Sequence, residues 1–448
     1  MLWTVRGPVV RAALARAVAA VLAQHGALRL RVWAVAGQWQ QAVGPGPARP
    51  PVTEVDLGSV PAAAAQRALA AAAARLQGSL SLATGRVLRV VTFAQPGQGT
   101  RLLVVVHHLV MDGVSWRILL EDLETGYRQA LAGAAVRLPP ASVSLPRWAA
   151  ALTAYVAAGG YADEVEYWTA VATTPVAALP EDGPGGAATA ATVRTVRTTL
   201  DAAATQQLLQ AVPAAYRTQI SDVLLTALAR VLGAWTGEAR VRVDMEGHGR
   251  EAVGATVLDV SRTVGWFTTV YPVVLDVRAA GADRGAALRA VKEQLRAVPH
   301  HGLGYGALRY LSPTPAVRAT LSAAPPSAVR FEYLGQFDAQ LSDTAWLTPA
   351  PESAGPAVAP DSPCEHLLVV TGAVLRGQLT MTWQYSHRRH QHHTVARLAQ
   401  EYLEELRALI THCTSPNVGG RTPSDFPLAR LPQDRLDQLV GRGDTVED

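Results

Sequence analysis

The residues best suited to chemistry stand in one short stretch of the chain. Residues 107–113 read HHLVMDG and directly follow the apolar run 102–106, which is typical of a strand buried on both faces. A buried strand that ends in titratable groups at a sharp turn can hold a catalytic base in place. Two adjacent histidines alone are more readily interpreted as a core pair satisfied by backbone groups, but the spacing to Asp112 and Gly113 favours chemistry.

A second candidate stretch ends a strand with an alternating pattern. Residues 240–245 alternate polar and apolar side chains, and residues 246–251 then read EGHGRE. Because Glu246 continues the polar face of the strand, a solvated glycine turn is the simpler interpretation of this stretch by itself. Beside the HHLVMDG stretch the balance reverses, and Glu246 becomes a second acid–base candidate.

These stretches and three others resemble the epimerization domains of nonribosomal peptide synthetases, which belong to the condensation-domain superfamily. Residues 107–116 are similar to the family's second epimerization motif at every defining position, and 246–251 matches the fourth. The fifth motif is matched by RTVGWFTTVYP at 262–272, and the sixth by GLGYG at 302–306. A nucleotide-binding loop is a poor interpretation of those glycines, because no strand precedes them. The seventh motif resembles FEYLGQF at 331–337.

The resemblance covers nearly the whole chain, with two departures. The family usually has Asn where this chain has Glu332, which puts the activity or its specificity in question. The family's first motif, a helix that precedes the first strand, is absent. We therefore expect uncovered apolar surface around the first strand and helix, and a higher melting temperature when the chain is extended upstream.

The resemblance implies a reaction, a partner and no cofactor. The expected activity is epimerization, from L to D, of the α-carbon of an aminoacyl or peptidyl thioester. The substrate arrives on the phosphopantetheine of a peptidyl carrier protein, beside neighbouring synthetase domains. No cofactor is expected to be bound by the domain itself. Two alternatives stay open: a condensation-type acyltransferase that forms peptide bonds, and a non-catalytic docking module of the same fold.

The resemblance also implies roles for individual residues. His108 is the expected base, His107 is largely structural, and Glu246 acts on the opposite face of a planar intermediate. Asp112 either holds the turn by pairing with an arginine, for which Arg250 is the candidate, or merely caps the following helix. The remaining candidates are Tyr333 as a catalytic residue, Gly113 and Trp116 as supporting residues, and Trp266, Phe267, Tyr271, Tyr305 and Glu332 as lining of a substrate tunnel.

The amino-acid composition argues against several classes of function. The chain has 448 residues, a net charge of +4 and no dense block of basic residues, which argues against nucleic-acid binding. Two distant cysteines and no visible signal peptide or membrane span favour a cytoplasmic setting. The histidines at 387, 390, 392 and 393 are interspersed with arginines, so no metal site is predicted.

Strands that alternate with helices predict α/β layering on both sides of the Pro/Gly-rich tract at 180–190. The predicted domains are an N-terminal lobe at 1–178, a C-terminal lobe at 179–418 and a tail at 419–448. By resemblance, each lobe is similar to chloramphenicol acetyltransferase, and the two form a V-shaped pseudodimer with a central tunnel. His108 and Glu246 are expected to face that shared channel.

Overall fold

The chain forms two compact α/β units. The first comprises Met1–Gly160, His248–Thr268 and Ala339–Ala359, and the second Tyr161–Gly247, Thr269–Asp338 and Pro360–Asp448, as far as their residues are described. The computed structural model describes residues 1–95, 99–140, 142–183, 185–336, 346–416, 418–429, 431–436 and 438.

The first unit is built on a five-stranded sheet with a separate hairpin. Its strands are β1 (Leu2–Val5), β2 (Leu30–Val35), β3 (Gln38–Val43), β4 (Val52–Asp56), β5 (Leu88–Gln95), β6 (Gly99–Val106) and, late in the chain, β11 (Leu347–Pro349). Its helices are α1 (Arg11–Gln24), α2 (Ala62–Gly78), α3 (Gly113–Leu131) and α4 (Leu145–Ala157). The sheet order is β11–β1–β6–β5–β4, and β2 pairs with β3.

Strand β6 lies at the centre of that sheet and is covered on both faces, as the apolar run predicts. Successive side chains of a strand point to opposite faces. Leu102 and Val104 pack in the same core as Leu14 of α1 and Ile118 of α3. Leu103, from the other face, packs with the α2 side of the unit. The strand that delivers the histidines is therefore fixed from both sides.

The second unit is built on a six-stranded sheet. Its strands are β7 (Val193–Thr199), β8 (Arg240–Gly247), β9 (Thr269–Asp276), β10 (Val329–Gln336), β12 (Leu368–Leu375) and β13 (Gln378–Ser386). Its helices are α5 (Val165–Thr173), α6 (Ala202–Gln210), α7 (Val212–Tyr216), α8 (Ile220–Thr236), α9 (Arg284–Arg296), α10 (Leu303–Leu311), α11 (Pro315–Ala323) and α12 (His392–Cys413). The sheet order is β7–β13–β12–β10–β8–β9.

The middle of the second sheet is parallel. Strand β10 pairs in parallel with both β8 and β12, and its Arg330 lies opposite Asp244 of β8. Parallel neighbours need crossover connections, and helices supply them here. Because side chains repeat every second residue, the residues two positions further on, Glu332 and Glu246, come to the same face of the sheet.

The two units do not coincide with the lobes predicted at 1–178, 179–418 and 419–448. Two segments that follow the Pro/Gly-rich tract join the first unit. One supplies β11, which pairs with β1; in the other, the Gly265 carbonyl accepts a hydrogen bond from the Asp112 amide at 3.2 Å. These are long-range backbone contacts, which local composition cannot report. Within the described residues, no helix is long and apolar enough to cross a membrane.

Candidate active site

The two histidines leave β6 at a short turn whose backbone is fixed. The His107 amide donates to the Val87 carbonyl at 2.9 Å. Its ring Nδ1 accepts from the Leu109 amide at 3.2 Å, so the turn uses this imidazole as an acceptor. Burial, and next the proximity of His108, lower the pKa of His107. His108 itself is exposed, and its backbone is held while its imidazole is open to solvent.

Asp112 is buried and fully engaged with hydrogen-bond donors. One carboxylate oxygen accepts from the Ser115 amide at 2.8 Å and lies 2.7 Å from the Ser115 hydroxyl. The other accepts from the Phe267 amide at 3.0 Å. The carboxylate therefore caps α3 and also fastens the segment that contains Phe267. The exposed fraction of the Asp112 side chain is only 1%.

The predicted pair between Asp112 and Arg250 is present. Arg250 Nη2 lies 3.2 Å from Asp112 Oδ1 and 3.3 Å from Oδ2. Its Nη1 donates to the carbonyls of Val260 and Thr263 at 2.7 and 2.8 Å, and the guanidinium lies 4.2 Å from the centre of the Phe267 ring. Both interpretations of Asp112 are thus correct at once, because one carboxylate can accept several hydrogen bonds.

The segment around residue 265 is anchored by a second buried carboxylate. Arg262 contacts Asp122 of α3, and Asp122 also lies 2.7 Å from His25 Nε2. The anchored segment places the Trp266 ring 5.1 Å from the His108 ring. Of the two tunnel candidates in this unit, Trp266 is therefore the one that lies beside His108. Phe267 is buried instead.

The supporting candidates of this unit differ in what they contact. Trp116 is half-buried and packs against the core that lies under β6. A side chain at Gly113 would meet no atom within 4 Å, so packing does not explain the glycine at this position.

In the second unit, Glu246 lies next to a second carboxylate. Arg330 Nη2 is 2.5 Å from Glu332 Oε1, and Arg330 Nη1 is 3.7 Å from Glu246 Oε1. The side chain of Glu332 is 14% exposed and that of Glu246 32%. One arginine therefore contacts two acids. With all three groups ionised, their summed charge is −1.

This arrangement changes the proton affinity of Glu246. Burial, and next the carboxylate of Glu332, raise the pKa of Glu246 to about 7, against the opposing charge of Arg330. Desolvation and a like charge both disfavour the ionised form of an acid. An acid whose pKa lies near the working pH can both give and take a proton, which is what acid–base catalysis requires.

The polar side chains of β8 that precede the turn at 246–251 contact protein, although Glu246 and His248 of the turn itself are exposed. Arg242 is buried and donates to the carbonyls of Val171 and Ala172 at 3.3 and 3.4 Å. Asp244 lies 3.0 Å from His366 Nε2. The alternation of β8 thus marks two protein-facing surfaces, one apolar and one polar.

Tyr333 does not share a face with Glu332. It lies opposite Gly372 in the β10–β12 register, and a side chain at Gly372 would meet both Met381 and the Tyr333 ring. Met381 is fully buried, so Tyr333 lies on the core side of its strand. Burial raises the pKa of Tyr333. A catalytic role for it stays a prediction, and the described geometry does not bring it to Glu246.

The glycines of 302–306 allow close packing. A side chain at Gly302 would collide with the Tyr271 ring, and one at Gly304 with the buried carboxylate of Glu164. Gly302 also has a φ of +83°, which favours glycine. The predicted tunnel residues Tyr271 and Tyr305 are both buried, and they pack around Trp168 with ring centres 6.1 and 5.2 Å from it.

Two residues that contact the candidate acids, Arg330 and Ser115, were not predicted from the sequence. Arg330 alternates with Glu332 along β10, which signals a shared face, but only the pairing of β10 with β8 brings Arg330 to Glu246. Ser115 stands in the family motif as an ordinary helix residue, and its hydroxyl lies within hydrogen-bond distance of Asp112, Arg250 and Gly265. As for metals, no His, Cys, Asp and Glu group of three or more in the described part of the chain could hold one.

Comparison with known proteins gives consistent results. A linear gramicidin synthase polypeptide of Brevibacillus parabrevis is 42% identical over 436 residues, which are 97% of this chain and 8% of that protein. Chondramide synthase cmdD of Chondromyces crocatus is 43% identical over 422 residues, 93% of this chain and 10% of that protein. The chain thus spans a tenth or less of the length of these two relatives.

Solved structures show the same fold. The epimerization domain from the third module of tyrocidine synthetase B is 33% identical, with a TM-score of 0.84 over 92% of this chain and 90% of that one. The first condensation domain of the CDA synthetase shares the fold at 21% identity, with a TM-score of 0.63 over 93% and 92%. The predicted fold class is confirmed. A sequence model described as the condensation domain matches residues 2–430, and the chain therefore belongs to the condensation-domain family.

Proposed function

We propose that this domain epimerizes the α-carbon of an aminoacyl or peptidyl thioester presented on the phosphopantetheine of a peptidyl carrier protein. His108 and Glu246 are the two acid–base groups. The proposal depends above all on one observation, which is that Glu246, near the end of β8, shares Arg330 with the carboxylate of Glu332, an arrangement that goes with a pKa raised to about 7. An ordinary surface glutamate would be ionised and weakly basic at neutral pH.

The chemistry asks for two such groups. A thioester carbonyl makes the α-proton more acidic than an amide would, and the reaction passes through a planar enolate. Inversion is simplest when one group removes the proton from one face and another delivers a proton to the opposite face. The imidazole of His108 suits the first role, and a protonated Glu246 suits the second.

The alternative activity, peptide-bond formation, needs fewer acid–base groups. A condensation domain needs one group to serve an incoming amine, and His108 alone would fill that role. It gives no function to a titratable carboxyl pair at the end of β8. The likeness to an epimerization domain at 33% identity also supports the proposed reaction.

The test is direct. A carrier protein is loaded with an L-aminoacyl phosphopantetheine, the domain is added, and the released amino acid is separated into D and L forms. The proposal is supported if L substrate and D substrate, in separate reactions, both give a mixture of D and L amino acid. Peptide formation with a second, acceptor-loaded carrier and no D product would assign condensation instead. Failure of both assays with several carriers would favour the docking module.

A further inference from the structure

Three charged side chains form a cluster on one face of the β8–β10 pair. Arg330 stands opposite Asp244 in the register, and Glu246 and Glu332 follow two residues later on the same face. The guanidinium lies 2.5 Å from Glu332 and 3.7 Å from Glu246. It contacts both carboxylates, closely in the first case and loosely in the second.

Arg330 lies within ion-pair distance of Glu246, and the charge of His366 also acts to lower the pKa of Glu246. His366, which precedes β12, contacts Asp244 at 3.0 Å, and this contact occupies the acceptor nearest to it on β8. Across the antiparallel partner, Glu246 pairs with the apolar Val270 of β9. The charged groups of this unit that act most strongly on Glu246 are Glu332, Arg330 and His366.

One arginine cannot neutralise two ionised acids. When two carboxylates share a site, a like charge disfavours the second ionisation, and the pair titrates as a unit. We infer that Glu246 and Glu332 hold a single proton between them, with Arg330 fixed on Glu332, so that Glu332 is a positioning residue that keeps Glu246 partly protonated at neutral pH. The inference rests on the proposed function for its catalytic meaning, but not for its geometry.

The proton balance of the reaction follows. In one direction His108 takes the α-proton and becomes imidazolium, while the Glu246 carboxyl gives its proton to the α-carbon and becomes a carboxylate. In the other direction Glu246 must first be ionised. Exchange with solvent restores both groups, and no other reactant is consumed. In this scheme Glu332 acts on the reaction through Glu246.

The first measurement needs no activity. In the protein labelled with carbon-13 at the glutamate side-chain carboxyl, one resonance should titrate near neutral pH. It should be absent in Glu246→Gln, and in Glu332→Gln it should titrate roughly one to two pH units lower. Glu401→Gln is the matched control, because Glu401 pairs with Arg397 along α12 at 2.7 Å. That variant should leave the resonance where it is.

The second measurement is the pH profile of epimerization in both directions. In Glu332→Gln the part of the pH–rate profile that reports the ionisation of Glu246 should move to lower pH. The shift should equal that of the carbon-13 resonance, and KM should not change. Glu332→Asn, a shorter amide, serves if Glu332→Gln does not fold. A near-neutral titration that survives the loss of Glu332 would overturn the inference, since burial alone would then be the cause. A chain with the shared proton but no D product would instead refute the proposed function.

Discussion

Two acidic residues of the candidate motifs, Asp112 in the first unit and Glu246 in the second, differ in the contacts that their carboxyl groups make. Asp112 is buried among donors: an arginine, a hydroxyl and two amides contact it. Glu246 is partly exposed, shares its arginine with Glu332, and has its pKa raised to about 7. Both positions belong to family motifs, and both carboxylates contact an arginine.

The difference separates a structural acid from the acid that we propose does the chemistry. A carboxylate that accepts several hydrogen bonds and an ion pair is held firmly in place. Such a group holds a turn well. A carboxyl crowded by a second acid is poised to change its charge. The nearby arginine is therefore not the feature that distinguishes the two roles; the number of acids that share it is.

The strongest way to break this comparison is to remove the chemical groups. His108→Ala and Glu246→Gln should each lower the epimerization rate by about a hundredfold to ten-thousandfold, the usual effect of losing a positioned acid–base group. One variant should still exchange the α-proton of L substrate with deuterated solvent, and the other only that of D substrate. Mass spectrometry of the recovered amino acid measures the exchange.

The matched control is Glu251→Gln. Glu251 lies 3.3 Å from His248 and is the last residue of the same motif, so the variant tests whether any acid of that segment can supply the acid–base group. Its effect should be much milder. Full activity in Glu246→Gln together with an inactive Glu251→Gln would show that the wrong carboxylate had been assigned.

Removing the structural acid should act on stability. Asp112→Ala leaves the Arg250 guanidinium buried without its carboxylate, and breaking such a pair typically costs about 3–5 kcal/mol. Urea denaturation measures the free energy of unfolding. The double variant Asp112→Ala with Arg250→Met should cost less than the two single changes added together. Strict additivity would mean that the pair is not coupled.

The fold was easier to anticipate than the site. The apolar run before His107 identified a strand covered on both faces, and the alternation in 240–245 identified β8. The capping and pairing of Asp112 followed from the motif. The role of Arg330 did not, because it depends on which strand lies beside β8. In the same way, composition at 180–190 could not show that His248–Thr268 packs with the first unit.

A smaller effect should appear in the pH dependence of stability. The pKa of Glu246 is raised from 4.5 to about 7 in the folded protein, so the folded state binds this proton more tightly than the unfolded state. The contribution to the free energy of unfolding is complete below about 4.5 and is lost as the pH rises through about 7. Denaturation at a series of pH values should show this slope in the parent chain and a weaker one in Glu246→Gln. An equal slope in both would place the titrating group elsewhere.

The smallest effect on activity is expected from changing Tyr333. This prediction depends only on the strand face to which the side chain points. Tyr333 directly follows Glu332 in β10, yet successive residues of a strand point to opposite faces. Its ring lies on the side of buried Met381, away from the face that carries Glu246. Tyr333→Phe removes only the hydroxyl, so we expect kcat to change by no more than a few fold, far less than a positioned acid–base group would give. Glu332→Gln changes the preceding residue of the same strand, whose side chain points to the opposite face. Comparing the two variants shows whether activity depends on the face that carries Glu332 and Glu246 or on any change in β10. A loss at Tyr333→Phe as large as that at Glu246→Gln would restore Tyr333 as a catalytic residue.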